Sequence, residues 1–387
     1  MKIKKKLVRI TTVPISLEKL LENQLKYMNE YYDVIAVSSN ESLLKEVGMD
    51  QGVSVFPVNL TRKISPFSDL IALFKLVLFL KKERPFIVHS HTPKAGIIGM
   101  LAARIANVPH RLHTVAGLPL LVTSGFKRRL LHMVETVTYK CASRVFPNSH
   151  GLKRIILDIG LIKDEKKLRV IGHGSSNGID SAAFDPKIID KCVSIELKRK
   201  LGILETDFVF IFVGRLVGDK GVNELILAFK HLSSRYLTLK LLLVGASEDD
   251  LDPLSKDTKL EISRNPKILS IGYQNDVRPY FTISNALVFP SHREGFPNVV
   301  MQAGAMCLPS IVSDINGCNE IIMDGVNGTI IPVQNLGKLK QAMERLFLDA
   351  GYYNLLRSSA RSCILSKYER SVVWKDLLNE YESLNDV

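Results

Sequence analysis

No stretch of this 387-residue chain is apolar over the ~18–20 residues that a membrane-crossing helix needs. The longest candidate, Leu70–Leu80, is broken by Lys75. The lysine-rich start runs directly into Leu7–Ile10, too short for the core of a secretory signal, so a cytoplasmic location is expected. Cysteine is sparse. Cys141, Cys192, Cys307, Cys318 and Cys363 are odd in number and include no Cys-x-x-Cys pair, which argues for buried free thiols over disulfides or a zinc site. There is no internal repeat and no low-complexity tract. What remains is the composition of a folded soluble protein, 46% apolar and 24% charged, too long for one ordinary core and so suggestive of two domains.

Acidic residues are also in short supply, but only in one half. Residues 1–180 hold 28 Lys and Arg against 14 Asp and Glu, whereas residues 181–387 hold 24 against 25. The first half therefore carries the whole of the +13 net charge. Such a surface suits a polyanion: a membrane leaflet, a lipid diphosphate or nucleic acid.

Short β-rich runs alternate with helical patterns in both halves. Leu7–Thr11, Val34–Ser38, Val53–Val58, Phe86–His89, Arg111–Thr114 and Val145–Asn148 are separated by helical segments such as Leu17–Asn29 and Ala95–Ala106. Phe208–Val213, Leu239–Val244, Ile268–Ile271, Ala286–Phe289, Ser310–Val312 and Thr329–Ile331 repeat the pattern, with a helix over Val222–Leu232. The last ~40 residues read as helical, ending with Val372–Leu384. The alternation implies α/β architecture, two doubly wound parallel sheets covered on both faces. Boundaries fall at 1–180, 181–370 and a C-terminal helix, 371–387, that packs back toward the first domain. A linker is expected near residues 172–200. Ligands of such sheets bind beyond the C-terminal strand ends, which places the expected site in a cleft between the domains.

Two motifs carry most of the chemistry. Val213-Gly-Arg-Leu-Val-Gly-Asp-Lys-Gly221 follows the first strand of the second domain. Its glycines permit a tight turn, and Arg215 and Lys220 leave it as a fork and a point charge suited to a diphosphate. It is not a Walker loop, because the Gly-x4-Gly-Lys-Ser/Thr spacing is absent. Glu294-Gly-Phe-Pro-Asn-Val-Val-Met-Gln302 follows the apolar run Ala286–Pro290. Here a loop carboxylate precedes Pro297, placed where a helix starts, so a helix N-terminus and two polar handles point toward an anionic ligand. Asp250-Leu-Asp252 matches the Asp-x-Asp of metal-dependent transferases but reads as a solvated acidic turn.

The two motifs resemble the Gly-Arg-x4-Lys-Gly and Glu-x7-Glu signatures of retaining glycosyltransferases of the GT-B fold, family 4. Gly304–Pro309, Asp314–Ile322 and Asp324–Gly328 resemble the same family in order and spacing. The resemblance implies that Arg215 and Lys220 bind the donor diphosphate and stabilise the departing nucleotide. It implies that Glu294 bonds donor-sugar hydroxyls, that the backbone amides near Asn298 and Val299 hold phosphate oxygens, and that Gln302 faces the ribose. The family pattern has Glu where this chain has Gln302. An ionised Glu accepts from both ribose hydroxyls, whereas Gln offers one acceptor and one donor group.

In the first half, His89-Ser-His-Thr-Pro-Lys-Ala-Gly96 lies at a strand end. No carboxylate or cysteine joins His89 and His91, so no metal site is expected. Lys94 begins a helix and is a candidate for meeting an anionic acceptor. His113, in Leu112-His-Thr-Val-Ala-Gly117, stands where family members carry a histidine that contacts the donor sugar, and Gly117 would let the chain pass close to ligand. Gly125-Phe-Lys-Arg-Arg129 places Arg128 and Arg129 ahead of an apolar helical run. With the apolar Leu70–Lys82 and its flanking cations, this suits seating on an anionic membrane surface. Aromatics are not interleaved with these cations, which disfavours nucleic acid.

The expectation is a retaining hexosyl- or N-acetylhexosaminyl-transferase that needs no cofactor. It would use a nucleotide-sugar, a UDP-sugar in the first place, and a glycan or polyprenyl-pyrophosphate-linked acceptor at the cytoplasmic membrane face, in bacterial surface polysaccharide synthesis. Two alternatives stay open: a UDP-sugar 2-epimerase of the same fold, and a non-catalytic partner subunit that binds nucleotide or membrane.

Overall fold

The computed structural model describes residues 4–61, 65–248 and 252–386. The chain divides into two units, Met1–Gly178 with Ser371–Val387, and Ile179–Arg370.

In the first unit, β1 (Lys6–Ile10), β2 (Asp33–Ser38), β3 (Ser54–Pro57), β4 (Ile87–His91), β5 (His110–Val115) and β6 (Arg144–Pro147) form one sheet. The helices between and after them are α1 (Pro14–Leu20), α2 (Gln24–Asn29), α3 (Glu41–Gln51), α4 (Pro66–Glu83), α5 (Pro93–Ile105), α6 (Gly125–Cys141) and α7 (His150–Asp158). Every strand pair is parallel, in the order β3-β2-β1-β4-β5-β6. Alternate residues of each strand feed opposite faces. Val8, Ile10, Ile35, Val37 and Val88 join the core under α4–α7. Leu7, Val34, Ala36 and Ile87 join the other, with Leu17, Leu25 and Leu44 of α1–α3. The helical pattern over Leu17–Asn29 resolves into two helices, because Asn23 takes a left-handed φ of 59° and stops the run.

The second unit contains β7 (Phe208–Val213), β8 (Leu239–Val244), β9 (Ile268–Ser270), β10 (Ala286–Phe289), β11 (Ser310–Ser313) and β12 (Gly328–Ile331). Its helices are α8 (Lys191–Leu201), α9 (Val222–Ser233), α10 (Lys256–Arg264), α11 (Arg278–Thr282), α12 (Asn298–Ala305), α13 (Cys318–Ile321), α14 (Leu336–Leu348) and α15 (Ala350–Tyr368). The last part of the segment expected to be linker, residues 191–200, is thus α8. The sheet is again wholly parallel, in the order β12-β11-β10-β7-β8-β9. Both sheets have the doubly wound Rossmann-like arrangement expected from the sequence. Their order reverses between β1 and β4 and between β7 and β10, the positions where open α/β sheets bind ligand.

A final helix, α16 (Arg370–Glu382), follows α15, and from Ser371 onward it belongs to the first unit. Leu377, Leu378 and Tyr381 complete the core on the α1–α3 side. On that same face, strand alternation places a charged group that is fully buried, Arg9. Its guanidinium donates to the Tyr381 hydroxyl at 2.9 Å and to the Gln24 side-chain carbonyl. The Tyr381 oxygen also meets His89 Nδ1, and His89 Nε2 meets Thr114 Oγ1 at 2.7 Å. Two of the three guanidinium nitrogens of this buried cation are thus paired while Nε is not, and the network ties β1, β4, β5 and α2 to the C-terminal helix.

Two stability effects follow. Tyr381→Phe removes the hydroxyl on which Arg9 and His89 converge and should destabilise the first unit by about 1–3 kcal/mol in chemical denaturation, with little change in packed volume. In α6, burial pushes the Glu135 carboxyl up to about 7. Such a group holds more protons folded than unfolded between its two pKa values, so its contribution to stability falls as pH rises from the ordinary carboxylate range to about 7. Relative to Glu135→Gln, the wild type should lose on the order of 3 kcal/mol between pH 4.5 and pH 8, read from denaturation midpoints at each pH.

Candidate active site

The loops that leave β7 and β10 start side by side at the order reversal of the second sheet. Gly221 ends the first loop at φ +69°, and a Cβ there would lie 2.0 Å from the Pro290 carbonyl oxygen at the end of β10. Only glycine lets the two loops pass so close. Gly317, at φ +77°, does the same for the loop after β11: a Cβ there would lie 2.5 Å from the Gly295 carbonyl oxygen.

This proximity joins the two motifs. Lys220 Nζ forms an ion pair with Glu294 Oε1, and both side chains are largely enclosed, at 16% and 14% exposure. The ammonium also lies 5.8 Å from the centre of the Phe289 ring. Asn316 donates its side-chain amide to the Glu294 carbonyl oxygen and, at 3.3 Å, to that of Gly295. A second ion pair, Arg293 to Asp219 at 2.6 Å, again links the β10 loop to the β7 loop. Asp252 accepts from the Asp219 backbone N–H at 2.6 Å and so fixes the single 3-10 turn that presents Lys220. Arg215 has a separate partner: it is half-exposed and pairs with Glu248 at 2.6 Å.

Beyond the carboxylate, Pro297 stands at the N-cap of α12, and no side chain makes a capping hydrogen bond to that helix. Asn298 is exposed, and Val299 and Gln302 are half-buried along the first turn and a half. Cys318 lies next to this group. Burial drives its thiol well above the ordinary range, with the Glu294 carboxylate adding to the rise and Lys220 opposing it.

The arrangement can hold an anion. Two cations, one enclosed and one exposed, and the amide end of a helix are all positive poles. In a site shielded from water they act on a phosphate far more strongly than on a surface. Glu294 is the one carboxylate among the sequence-predicted residues there, and it suits hydroxyl groups. Among the described residues, no group of three or more His, Cys, Asp or Glu is arranged to hold a metal ion. Of the acidic turn singled out as Asp-x-Asp, Asp250 lies outside the described residues, and Asp252 caps a turn rather than standing in solvent. Asp219 and Asn316 lie inside the motif segments and Glu248 outside them, but none was legible as a site residue, because each enters through a tertiary contact.

The first-unit candidates do not converge in the same way. Lys94, in the first turn of α5, pairs with Asp69 of α4 at 2.5 Å. Gly117 faces open space, with nothing within 4 Å of a built Cβ. Arg128 and Arg129 are exposed in the first turn of α6. His113 is enclosed. Its Nδ1 meets Ser90 Oγ at 2.9 Å, and its ring fills the space a side chain at Gly96 would take, at 2.5 Å from the built Cβ. Burial lowers its pKa to about 4, so the ring is neutral at pH 7 and packs α5 onto β5. His89 and His91 share one face of β4, with ring centres 4.3 Å apart, and burial depresses both well below the ordinary range.

Two family models match the chain: the glycosyl transferase 4-like domain over residues 27–174 and glycosyl transferases group 1 over residues 193–362. The capsular polysaccharide biosynthesis glycosyltransferase CapM of Staphylococcus aureus is 34% identical, covering 98% of this chain and 97% of its own length. The UDP-Gal:alpha-D-GlcNAc-diphosphoundecaprenol alpha-1,3-galactosyltransferase of Escherichia coli is 30% identical, over 88% of this chain and 86% of its own. A glycosyltransferase structure from Rickettsia africae superposes with a TM-score of 0.80 at 19% identity, covering 98% of both chains, a likeness of fold. Matched along almost its whole length, with both signature loops brought to the order reversal of the second sheet, the chain belongs to the group 1, family-4 glycosyltransferases of the GT-B fold.

Proposed function

We propose that the protein transfers a hexosyl or N-acetylhexosaminyl group from a UDP-sugar to a lipid-linked glycan acceptor, with retention of anomeric configuration, in the synthesis of a bacterial surface polysaccharide. The observation that carries this reading is the Lys220–Glu294 pair, which sets a cation and a carboxylate side by side where an α/β sheet takes its ligand. In the reaction, the bond from the anomeric carbon to the diphosphate breaks, and the acceptor hydroxyl bonds to that carbon on the same face. The departing phosphate takes the hydroxyl proton. Lys220 and Arg215 stabilise the charge that gathers on the diphosphate, and the amides at Asn298 and Val299 add to this. Glu294, freed from Lys220 by the incoming phosphate, holds sugar hydroxyls. Gln302 meets the ribose. The protein's part is to position reactants and offset charge.

The names of the relatives support the substrate class. CapM is a capsular polysaccharide enzyme, and the Escherichia coli relative is named for a UDP-sugar donor and a diphosphoundecaprenol acceptor. The basic first half suits an acceptor of that kind, bound by a unit in which Lys94, Gly117, Arg128 and Arg129 face the lipid diphosphate. α4 exposes Phe67, Leu70, Ile71 and Phe74 with Lys75 among them, and α6 exposes Phe126 beside Lys127. This supports seating on an anionic leaflet at the cytoplasmic face. Among the described residues, no helix is long and apolar enough to cross a membrane.

Lys220→Ala should cut turnover about 10²–10³-fold in a UDP-release assay, and Arg215→Ala should lose most turnover as well. Near-normal rates in either variant would remove the diphosphate assignment. Gln302→Glu should tighten UDP about fivefold by calorimetry, because a carboxylate accepts more strongly than an amide, and should leave 2′,3′-dideoxy-UDP unchanged. An equal gain for both nucleotides would place Gln302 away from the ribose.

A further inference from the structure

Helices α4, α5 and α6 of the first unit enclose a groove of about 400 Å³ that the proposed chemistry does not use. Leu70, Leu73, Ile97, Leu101, Leu130 and Leu131 line it. Its volume is in the range of small-ligand pockets, about 300–1,000 Å³. From Lys94 to Leu101 it follows two turns of α5, about 10 Å.

One end of the groove is charged. Lys94 and Asp69 belong to its lining and pair with each other there. The exposed Lys127, Arg128 and Arg129 occupy the turn of α6 immediately before Leu130. Asp69 Oδ1 is buried without a hydrogen-bond partner. The lining comes from the N-terminal and middle turns of the three helices, which follow β3, β4 and β5 of a parallel sheet. The groove therefore opens toward the C-terminal strand ends, the edge at which such sheets bind ligand. Phe67 and Phe126, in the first turns of α4 and α6, are 86% and 82% exposed.

An apolar channel with cations at one end matches an amphiphile that has a hydrocarbon tail and an anionic head. We propose that this groove holds the isoprenoid units next to the diphosphate of a polyprenyl-diphosphate acceptor, with the diphosphate at the Lys94 and Lys127–Arg129 end and the isoprenoid units running along α5 toward Leu101. The proposal rests on the lipid-linked acceptor reading above and adds where the lipid is recognised. The tail binds in a walled groove, so recognition does not depend on a bilayer.

Farnesyl diphosphate, which is soluble, separates these elements. In calorimetry with the full chain it should bind saturably and at least tenfold more tightly than inorganic diphosphate, with farnesol alone weaker than either compound that carries the diphosphate. Leu70→Asp puts a charge at the exposed rim, and Ile97→Trp fills the groove. Each should weaken farnesyl diphosphate about tenfold or more, since the burial of a side chain against hydrocarbon is lost. UDP affinity should be unchanged in both. Equal binding of farnesyl diphosphate and inorganic diphosphate by the wild type would overturn the inference without recourse to a variant. Full retention of farnesyl diphosphate binding in both variants would overturn it too. So would variants that lose binding only to phosphatidylglycerol vesicles free of prenyl lipid, an outcome that would make the face a membrane surface. Wild-type protein that binds farnesyl diphosphate but no UDP-sugar would leave the groove standing and remove the donor reading.

Discussion

The contact on which the candidate site depends is the ion pair between Lys220 and Glu294. Its existence follows from strand order. A doubly wound sheet places its first and fourth strands side by side, so the loops after β7 and β10 start as neighbours although 74 residues separate the paired side chains. Glycine at 221 lets the backbones touch, Arg293–Asp219 ties them a second time, and Asn316 clamps the carbonyls beside Glu294. With both charges largely out of water, neither is stable alone, and each holds the other in place; under the proposed reading a ligand supplies the replacement partner. A phosphate is such a partner for the lysine, and sugar hydroxyls are partners for the carboxylate.

The first unit is organised around a different buried charge. Arg9 enters the sheet interior because strand alternation leaves it no other face, and the hydroxyl of Tyr381 answers it from the last helix. Residues nearly the whole chain apart in sequence thus complete one network. Histidines 89 and 113 belong to interior hydrogen bonding on opposite faces of the same sheet. At the helix N-termini of this unit, Lys94 and the α6 cations stand beside an apolar groove.

The fold was legible because both sheets are wholly parallel and buried on both faces, so their strands read as short apolar runs at regular spacing. The runs Phe208–Val213, Leu239–Val244 and Ala286–Phe289 match β7, β8 and β10 residue for residue. The reading failed where one residue's backbone decides, as at Asn23 between α1 and α2, or where amphipathic helix resembles polar linker, as in α8. At the site, the residue types were legible and their partners were not. Arg215 meets Glu248, Lys94 meets Asp69, and Asp252 caps the turn that carries Lys220. Periodicity contains no information about such contacts.

The sequence by itself determined the elements, the parallel sheets and the two loops rich in glycine and charge, because hydrophobic spacing and turn chemistry are local properties. It also determined the charge imbalance between the halves. Only the tertiary structure decided that Lys220 and Glu294 touch, that His113 packs an interior, and that three helix starts wall a groove. Each of these depends on which strands lie adjacent, and strand adjacency comes from packing the whole sheet.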